Sequence, residues 1–218
     1  LQGAFYNCTG LTDVYYGGDS DGWLTVNIDG NNTYLTDAAM HYGKAATNGT
    51  CGENLTWSFE DGTLTIEGPN GIQGSKEYIW KEYTNQIRRI VVVDGITQIP
   101  RDAFSGMTNV TSIYLSNTLA GIAENAFANC TSLQSVSFPS SLEIIGEYAF
   151  FGCSSLTTVQ FPEDSRLHTL KEGAFSYTAI TSFIQPAGVE NLTPNFLTGC
   201  NQLQYYRSSS AQFTGPAI

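Results

Sequence analysis

Apolar residues in the second half of this chain stand three and then two positions apart, in short runs that return at a nearly fixed interval. The runs are Val110-Ile113-Leu115, Leu133-Val136-Phe138, Leu156-Val159-Phe161 and Leu203-Tyr206, while Ile180-Phe183-Gln185 lacks the last apolar place. An i, i+2 spacing puts side chains on one face of a strand, so each run predicts a short strand with its apolar face inward. Earlier in each interval comes another apolar element, Ile96-Ile99, Ile122, Ile144-Ile145 or Leu167-Leu170, followed by a phrase containing Ala-Phe. Three phrases match closely: Asp102-Ala103-Phe104-Ser105-Gly106-Met107, Asn125-Ala126-Phe127-Ala128-Asn129-Cys130 and Tyr148-Ala149-Phe150-Phe151-Gly152-Cys153. A fourth, Gly173-Ala174-Phe175-Ser176-Tyr177-Thr178, is looser. Phe104, Phe127 and Phe150 are 23 residues apart, Phe175 follows after 25, and a degenerate Asn195-Phe196 comes 21 later.

A repeat of this length with the pattern apolar-x-x-apolar-x-apolar describes a leucine-rich repeat, one coil of a solenoid. No coil can bury its apolar side alone, so the spaced residues must all point inward against the coils above and below. The Ala-Phe pairs are expected to stack as a ladder on the convex side, Ala allowing close approach and Phe filling the core. Pro139, Pro162 and Pro186 recur just after the strands, where a coil turns and needs no ladder donor.

One more copy, Gly3-Ala4-Phe5-Tyr6-Asn7-Cys8 with Leu11, Val14 and Tyr16, stands at the very start, separated from the main array by about eighty non-repeating residues. In between, Trp23 to Ile28 alternates like a strand before the turn signal Asp29-Gly30. Leu55 to Phe59 and Thr63 to Glu67 flank Glu60-Asp61-Gly62, a hairpin signal. Any helix is short, within Glu77 to Tyr83, and Ile90 to Val93 opens the new array. The expected organisation is a last repeat and closing cap over 1–44, a β-hairpin opening segment over 45–89, the repeat array over 90–207, and a tail or partial coil over 208–218. The fold class expected is mainly β or α/β: a leucine-rich-repeat solenoid with one short parallel strand per coil and a small antiparallel hairpin ahead of it.

These residues resemble the BspA-type leucine-rich-repeat family, whose repeats carry Ala-Phe-x-x-Cys-x-x-Leu and then a strand ending Val-x-Phe/Ile-Pro. Ala126-Phe127-Ala128-Asn129-Cys130-Thr131-Ser132-Leu133 matches throughout. Cys51-Gly52-Glu53-Asn54-Leu55-Thr56-Trp57 resembles the opening of such an array, and Tyr15-Tyr16-Gly17-Gly18 through Trp23 to His41-Tyr42 the closing of one. The resemblance implies an extracellular adhesin or ligand-binding array that engages host matrix proteins, other cells or host receptors. Two departures, Tyr177-Thr178 in place of a Cys and Asn195-Phe196 in place of Ala-Phe, predict distorted coils near the C-terminus.

Charge narrows the partners. A net charge of -11 with only nine Lys plus Arg argues against nucleic acid and acidic lipid headgroups. A charged fraction of 13 %, low for a cytosolic protein, fits an extracellular module whose polar surface is Ser, Thr, Asn, Gln and Gly. No apolar run approaches the roughly 20 residues needed to cross a bilayer, so no membrane insertion is expected. The chain begins at Leu1 and reads as a mature product or an excised piece.

Candidate chemistry is thin. Cys8, Cys130, Cys153 and Cys200 share a repeat position that Met107 fills elsewhere, so they read as buried hydrophobes and free core thiols; Cys51 lies outside that register. His41 and His168 lack neighbouring ligands, and no Cys-x-x-Cys suggests zinc. Asp19-Ser20-Asp21-Gly22 opens like a calcium loop without its closing Glu and reads as a turn. The carboxylate pairs Glu60-Asp61 and Glu163-Asp164 read as solvated turns rather than a glycosidase pair. The seven Asn-x-Thr sequons, among them Asn109 and Asn129, partly follow from the repeat phrase itself. No cofactor, metal site or catalytic constellation is expected, and the chain reads as a non-enzyme.

The face of the strands offers more. Residues between the inward positions point outward: Thr111, Ser112, Tyr114; Gln134, Ser135, Ser137; Thr157, Thr158, Gln160; Thr181, Ser182, Ile184; and Gln204, Tyr205, Arg207. Most are hydroxyl residues that simply suit an exposed strand. Tyr114, Ile184, Tyr205 and Arg207 are larger, and exposed aromatics and Arg dominate interface energies, so these four are the expected ligand contacts. Two functions follow, a module binding an extracellular protein or glycan and a structural spacer that only projects other domains. Exposed coil ends also suggest end-to-end self-association.

Overall fold

The structure, a computed structural model, describes residues 13–16, 39–42, 48–52, 55–69, 78–189, 192–193 and 195–208. The chain divides into two compact units, Leu1–Thr47 and Asn48–Ile218. In the first, β1 (Asp13–Tyr16) pairs in parallel with β2 (Ala39–Tyr42), Val14 beside Met40. The Ala4-Phe5 phrase, the turn at 19–22, the strand expected at 23–28 and the tail at 209–218 lie outside the described residues.

In the second unit, β3 (Asn48–Gly52), β4 (Leu55–Glu60) and β5 (Thr63–Glu67) are antiparallel. Asp61 and Gly62 take φ of 45° and 75°, the left-handed pair that a two-residue hairpin needs to match strand twist. Alternation sends Leu55 and Trp57 of β4 and Leu64 and Ile66 of β5 into the core. Then β6 (Arg89–Val92) joins β5 in parallel, so the hairpin and the coils share one sheet. Among the described residues the only helix is a single 3-10 turn at Ile79–Tyr83, and none is long and apolar enough to cross a membrane.

Three ladders tie the coils together. The first follows β6 with β8 (Ser112–Tyr114), β10 (Ser135–Ser137), β12 (Thr158–Gln160), β14 (Ser182–Ile184) and β15 (Tyr205–Arg207), paired in parallel as β6-β8, β10-β12 and β14-β15. The second is the parallel sheet β7 (Gln98–Ile99), β9 (Gly121–Ile122), β11 (Ile144–Ile145) and β13 (Thr169–Leu170), prolonged by a bridge from Leu170 to Leu192. The third runs through the Ala-Phe phrases, where the N–H groups of Phe104, Phe127 and Phe150 donate at 2.8 Å to the carbonyls of Ala126, Ala149 and Ala174 one coil on.

That third ladder explains the phrase. Ala103, Ala126, Ala149 and Ala174 are fully buried, as are Phe104, Phe127, Phe150 and Phe175. The rings stack with centroids 5.2, 5.1 and 5.3 Å apart, each pair adding about 0.5–1.5 kcal/mol to the burial of its rings. Each phrase also begins and ends on a left-handed residue: Asp102 and Gly106, Asn125 and Asn129, Tyr148 and Gly152, Gly173 and Tyr177, Asn195 and Gly199 all have positive φ. Two such corners turn the chain sharply on either side of each Ala-Phe pair, which is why Asn, Asp and Gly recur there.

Sequence reasoning differs from the structure in three places. The array starts earlier than Ile90: Ile87, Ile90 and Val92 are all buried and repeat the three-then-two spacing, and Trp80 stacks on Phe104 at 5.8 Å as the first rung of the Phe ladder. Its indole N–H donates to the Ala103 carbonyl at 2.9 Å. At the other end, Phe196 takes the Ala place and Leu197 the Phe place, because Phe175 N–H donates to the Phe196 carbonyl and Asn195 is the left-handed corner. The last coil therefore keeps the backbone path and is shifted in register rather than unwound. Finally, Ile144 points outward and is 38 % exposed, whereas Leu119 and Leu142, which the pattern passed over, are buried.

Candidate binding face

The outward residues form columns across the coils. One column runs Val91, Tyr114, Ser137, Gln160, Ile184, Arg207, and the next Arg89, Ser112, Ser135, Thr158, Ser182, Tyr205, as the register of each paired set requires. Tyr114, Ile184 and Tyr205 are 52 %, 57 % and 51 % exposed, and Arg207 is exposed too. Ile184 lies abreast of Arg207 and Ser182 abreast of Tyr205, so three of the four expected contacts meet on β14 and β15. Tyr114 does not join them, for the coils of β10 and β12 lie between. Its hydroxyl instead accepts from Asn117 Nδ2 at 3.5 Å, and the Asn117 N–H is held by Asp94 at 2.7 Å.

Ile184 and Arg207 border a groove of about 640 Å³ whose floor includes Phe161, Pro162 and Pro186, with Gln160 and Glu163 at its rim. An insertion makes this groove. From Phe138 to the buried Leu142 is four residues, but from Phe161 to the equivalent Leu167 is six, so the turn carrying exposed Glu163 and Asp164 stands out beside the sheet. Val159 and Phe161, which line the groove, are only partly buried. Glu163 of the carboxylate pair is thus part of a groove wall.

Gln185, the place where the repeat lost its apolar residue, is buried yet satisfied. Its Nε2 donates to the Val189 carbonyl, and its Oε1 accepts from the Tyr206 hydroxyl at 2.5 Å. Burial holds the Tyr206 phenol above its ordinary range. The Tyr206 ring stacks on Phe183 at 6.3 Å, so Gln185 ties β15 to the turn at the groove's floor. Sequence reasoning missed this role; the signal was one polar residue at an inward position, followed in the next coil by an inward Tyr.

The thiols are structural. Cys130 and Cys153 are buried and free, and each Sγ lies 3.2–3.3 Å from the carbonyl of the preceding coil's Phe. Half-buried Cys200 meets the Phe175 carbonyl at 3.1 Å, and Thr178 takes the thiol's place in its own coil, donating to that same carbonyl at 2.8 Å. The neighbouring Cys153 thiol first, and burial second, push the Cys130 thiol well above its usual range. Cys8 and the side chain of Cys51 lie outside the described residues. His168 is exposed beside the Thr169 hydroxyl, 2.9 Å away, and among the described residues no three His, Cys, Asp or Glu side chains converge.

Comparison with known proteins agrees with this geometry. Among solved structures the chain is similar to a leucine rich repeat protein of T. pallidum, with 24 % identity and a TM-score of 0.55 over 71 % of this chain and 79 % of that one. It is also similar to the pneumococcal vaccine antigen PcpA, at 18 % identity and a TM-score of 0.53, covering 76 % of this chain and 50 % of that one. A leucine rich cell surface protein of Faecalibacterium prausnitzii aligns at 20 % identity and a TM-score of 0.50, over 77 % and 56 % of the two chains. These likenesses concern the fold, and the chain spans only about half the length of the last two. No curated protein matches it. The BspA type Leucine rich repeat region matches residues 76–204 in six copies, a stretch that begins just ahead of the Trp80 coil. With more than half of its residues in that match, the chain belongs to the BspA-type leucine-rich-repeat family.

Proposed function

We propose that this chain is an extracellular binding module that recognises a protein or glycan through the groove between β14, β15 and the turn at 162–166. The observation that carries the reading is the meeting of exposed Ile184, Tyr205 and Arg207 beside a partly apolar hollow. A solvated surface rarely gathers an apolar side chain, an aromatic ring and a guanidinium without a partner, and such residues supply most of an interface's energy. Arg207 makes no ion pair among the described residues, in a protein of net charge -11. A ligand with an apolar group next to a carboxylate or other acceptor fits that arrangement. The cell-surface and vaccine-antigen descriptions of two structural relatives favour an exterior location.

The test is a binding screen of the purified chain against extracellular-matrix proteins, immunoglobulins, mucins and a glycan array by surface plasmon resonance. A saturable interaction supports the module. Absence of any interaction, while a longer protein containing this chain still binds, would favour a spacer that only projects other domains.

A further inference from the structure

Two left-handed corners of the array are filled by residues that do not suit them. The opening corner holds Asp102, Asn125, Gly173 and Asn195 in other coils, and the closing corner Gly106, Asn129, Gly152 and Gly199, all of which take positive φ readily. Tyr148 at φ 55° and Tyr177 at φ 58° break the two series, so each carries backbone strain. Neither ring enters the core. Tyr148 packs edge-on against Phe151 at 5.7 Å, and Phe151 edge-on against Tyr177, itself 55 % exposed, at 5.2 Å. Phe151 is a third departure, standing where the other coils have Ser105, Ala128, Ser176 and Thr198. Three exceptions to the repeat thus converge on one aromatic patch at this corner, half-buried at Tyr148 and Phe151 and exposed at Tyr177.

The surroundings are acidic. The small side chains of Ser105 and Ala128 leave a hollow of about 370 Å³ in front of the Tyr148–Phe151 pair, with Asp102 on its wall. The Tyr148 hydroxyl donates to Glu172 at 3.4 Å. The Glu172 carboxylate first, desolvation second, and then Glu147 and Glu124 hold that hydroxyl above the ordinary phenol range, so carboxylates surround the hydroxyl end of the ring. The nearby cations are already engaged, Arg101 with Asp102 and Glu124, and Lys171 with Glu147.

We propose that this corner docks a lysine- or arginine-bearing segment of a partner protein, the cation over the half-exposed Tyr148 and exposed Tyr177 rings and its methylene stem along Phe151 and Ala128. Ring faces attract cations, and carboxylates at the rim add to that attraction without neutralising the ring. The surface lies on the side opposite the β-strand columns and does not depend on the groove reading.

The test uses the whole chain immobilised for surface plasmon resonance, with three synthetic peptides of alternating Gly and Lys, Gly and Glu, or Gly and Ser. Saturable binding of the Lys peptide alone, weakened by added salt, is the expected result. Tyr148→Asn and Tyr177→Asn restore the residue type of the other corners, so both variants fold, and each is expected to weaken the Lys peptide about fivefold. Ile184→Ser leaves it unchanged. Equal affinity of the Tyr148→Asn/Tyr177→Asn double variant and the wild type would overturn the proposal, since diffuse surface charge alone would then account for binding. So would failure of the Lys peptide to bind at low salt.

Discussion

The ring of Tyr148 fills the place where a β-carbon on Gly173 would stand; such a carbon would lie 2.3 Å from the ring's Cδ1. Tyr177 does the same to Gly199, at 2.7 Å. A bulky corner side chain is accommodated because the next coil has no side chain there. Gly173→Ala is expected to destabilise by about 2–4 kcal/mol, from left-handed strain at φ 63° and from overpacking against the ring. In a Tyr148→Asn background only the strain remains, so a double-mutant cycle in urea should show a coupling of about 1–3 kcal/mol. Additive effects would contradict the contact.

Trp80 closes the Phe ladder at its first rung, with Tyr78 stacked outside it at 5.1 Å and donating to the Arg101 carbonyl at 2.8 Å. Trp80→Ala is expected to cost about 3–5 kcal/mol. Trp80→Phe keeps the ring and loses the bond to Ala103, costing about 1 kcal/mol. Equal effects of the two substitutions in chemical denaturation would show that stacking there contributes nothing.

Buried Gln185, which bonds to the 38 % exposed Tyr206, stands in a column that elsewhere holds Phe138 and Phe161, whose rings stack at 4.8 Å. Gln185→Ala leaves the Val189 carbonyl unpaired and is expected to destabilise by about 1–3 kcal/mol. Gln185→Phe combined with Tyr206→Phe extends the aromatic column and should be closer to wild type than either single change. Thermal melts of the four proteins decide this.

The raised Cys130 thiol makes stability depend on alkaline pH. The unfolded thiol ionises from about pH 8.5 upward while the folded one stays protonated. The unfolded state then binds fewer protons, so stability is complete below that pH and falls above it, by up to about 1.4 kcal/mol per pH unit. Cys130→Ser should remove this part of the slope. Alkylation followed by peptide mapping should find half-buried Cys200 labelled before buried Cys130 and Cys153.

Much of this fold was legible in the sequence because each coil repeats the same inward positions: Val136, Phe127 and Cys130 are buried for reasons visible in one interval of 23 residues. What escaped depends on neighbours. Trp80 fills a Phe place without an Ala before it, and an extra residue between Tyr83 and Ile87 hides that coil from a fixed period. Leu197 was read one place out because Phe196 looks like the repeat's Phe, and only the hydrogen bond from Phe175 reveals the register. Of the candidate contacts, the strand period gave the outward direction of Ile184, Tyr205 and Arg207. That Ile184 and Arg207 border one groove, with Tyr205 beside it on β15, follows from how a two-residue insertion is spent as an outward turn, which no period encodes.

The groove reading is tested most directly by measuring, with surface plasmon resonance, the affinity of the tightest-binding partner from the screen for the wild type, Ile184→Ser, Arg207→Ala and a variant lacking Glu163 and Asp164. The account predicts that each surface substitution weakens binding at least about tenfold, the loss of roughly 1.4 kcal/mol or more expected at an interface hot spot. The deletion, which returns the coil to the common length and removes the groove wall, should abolish binding while the thermal midpoint stays near that of the wild type. Unchanged affinity in all three variants would contradict recognition through this groove.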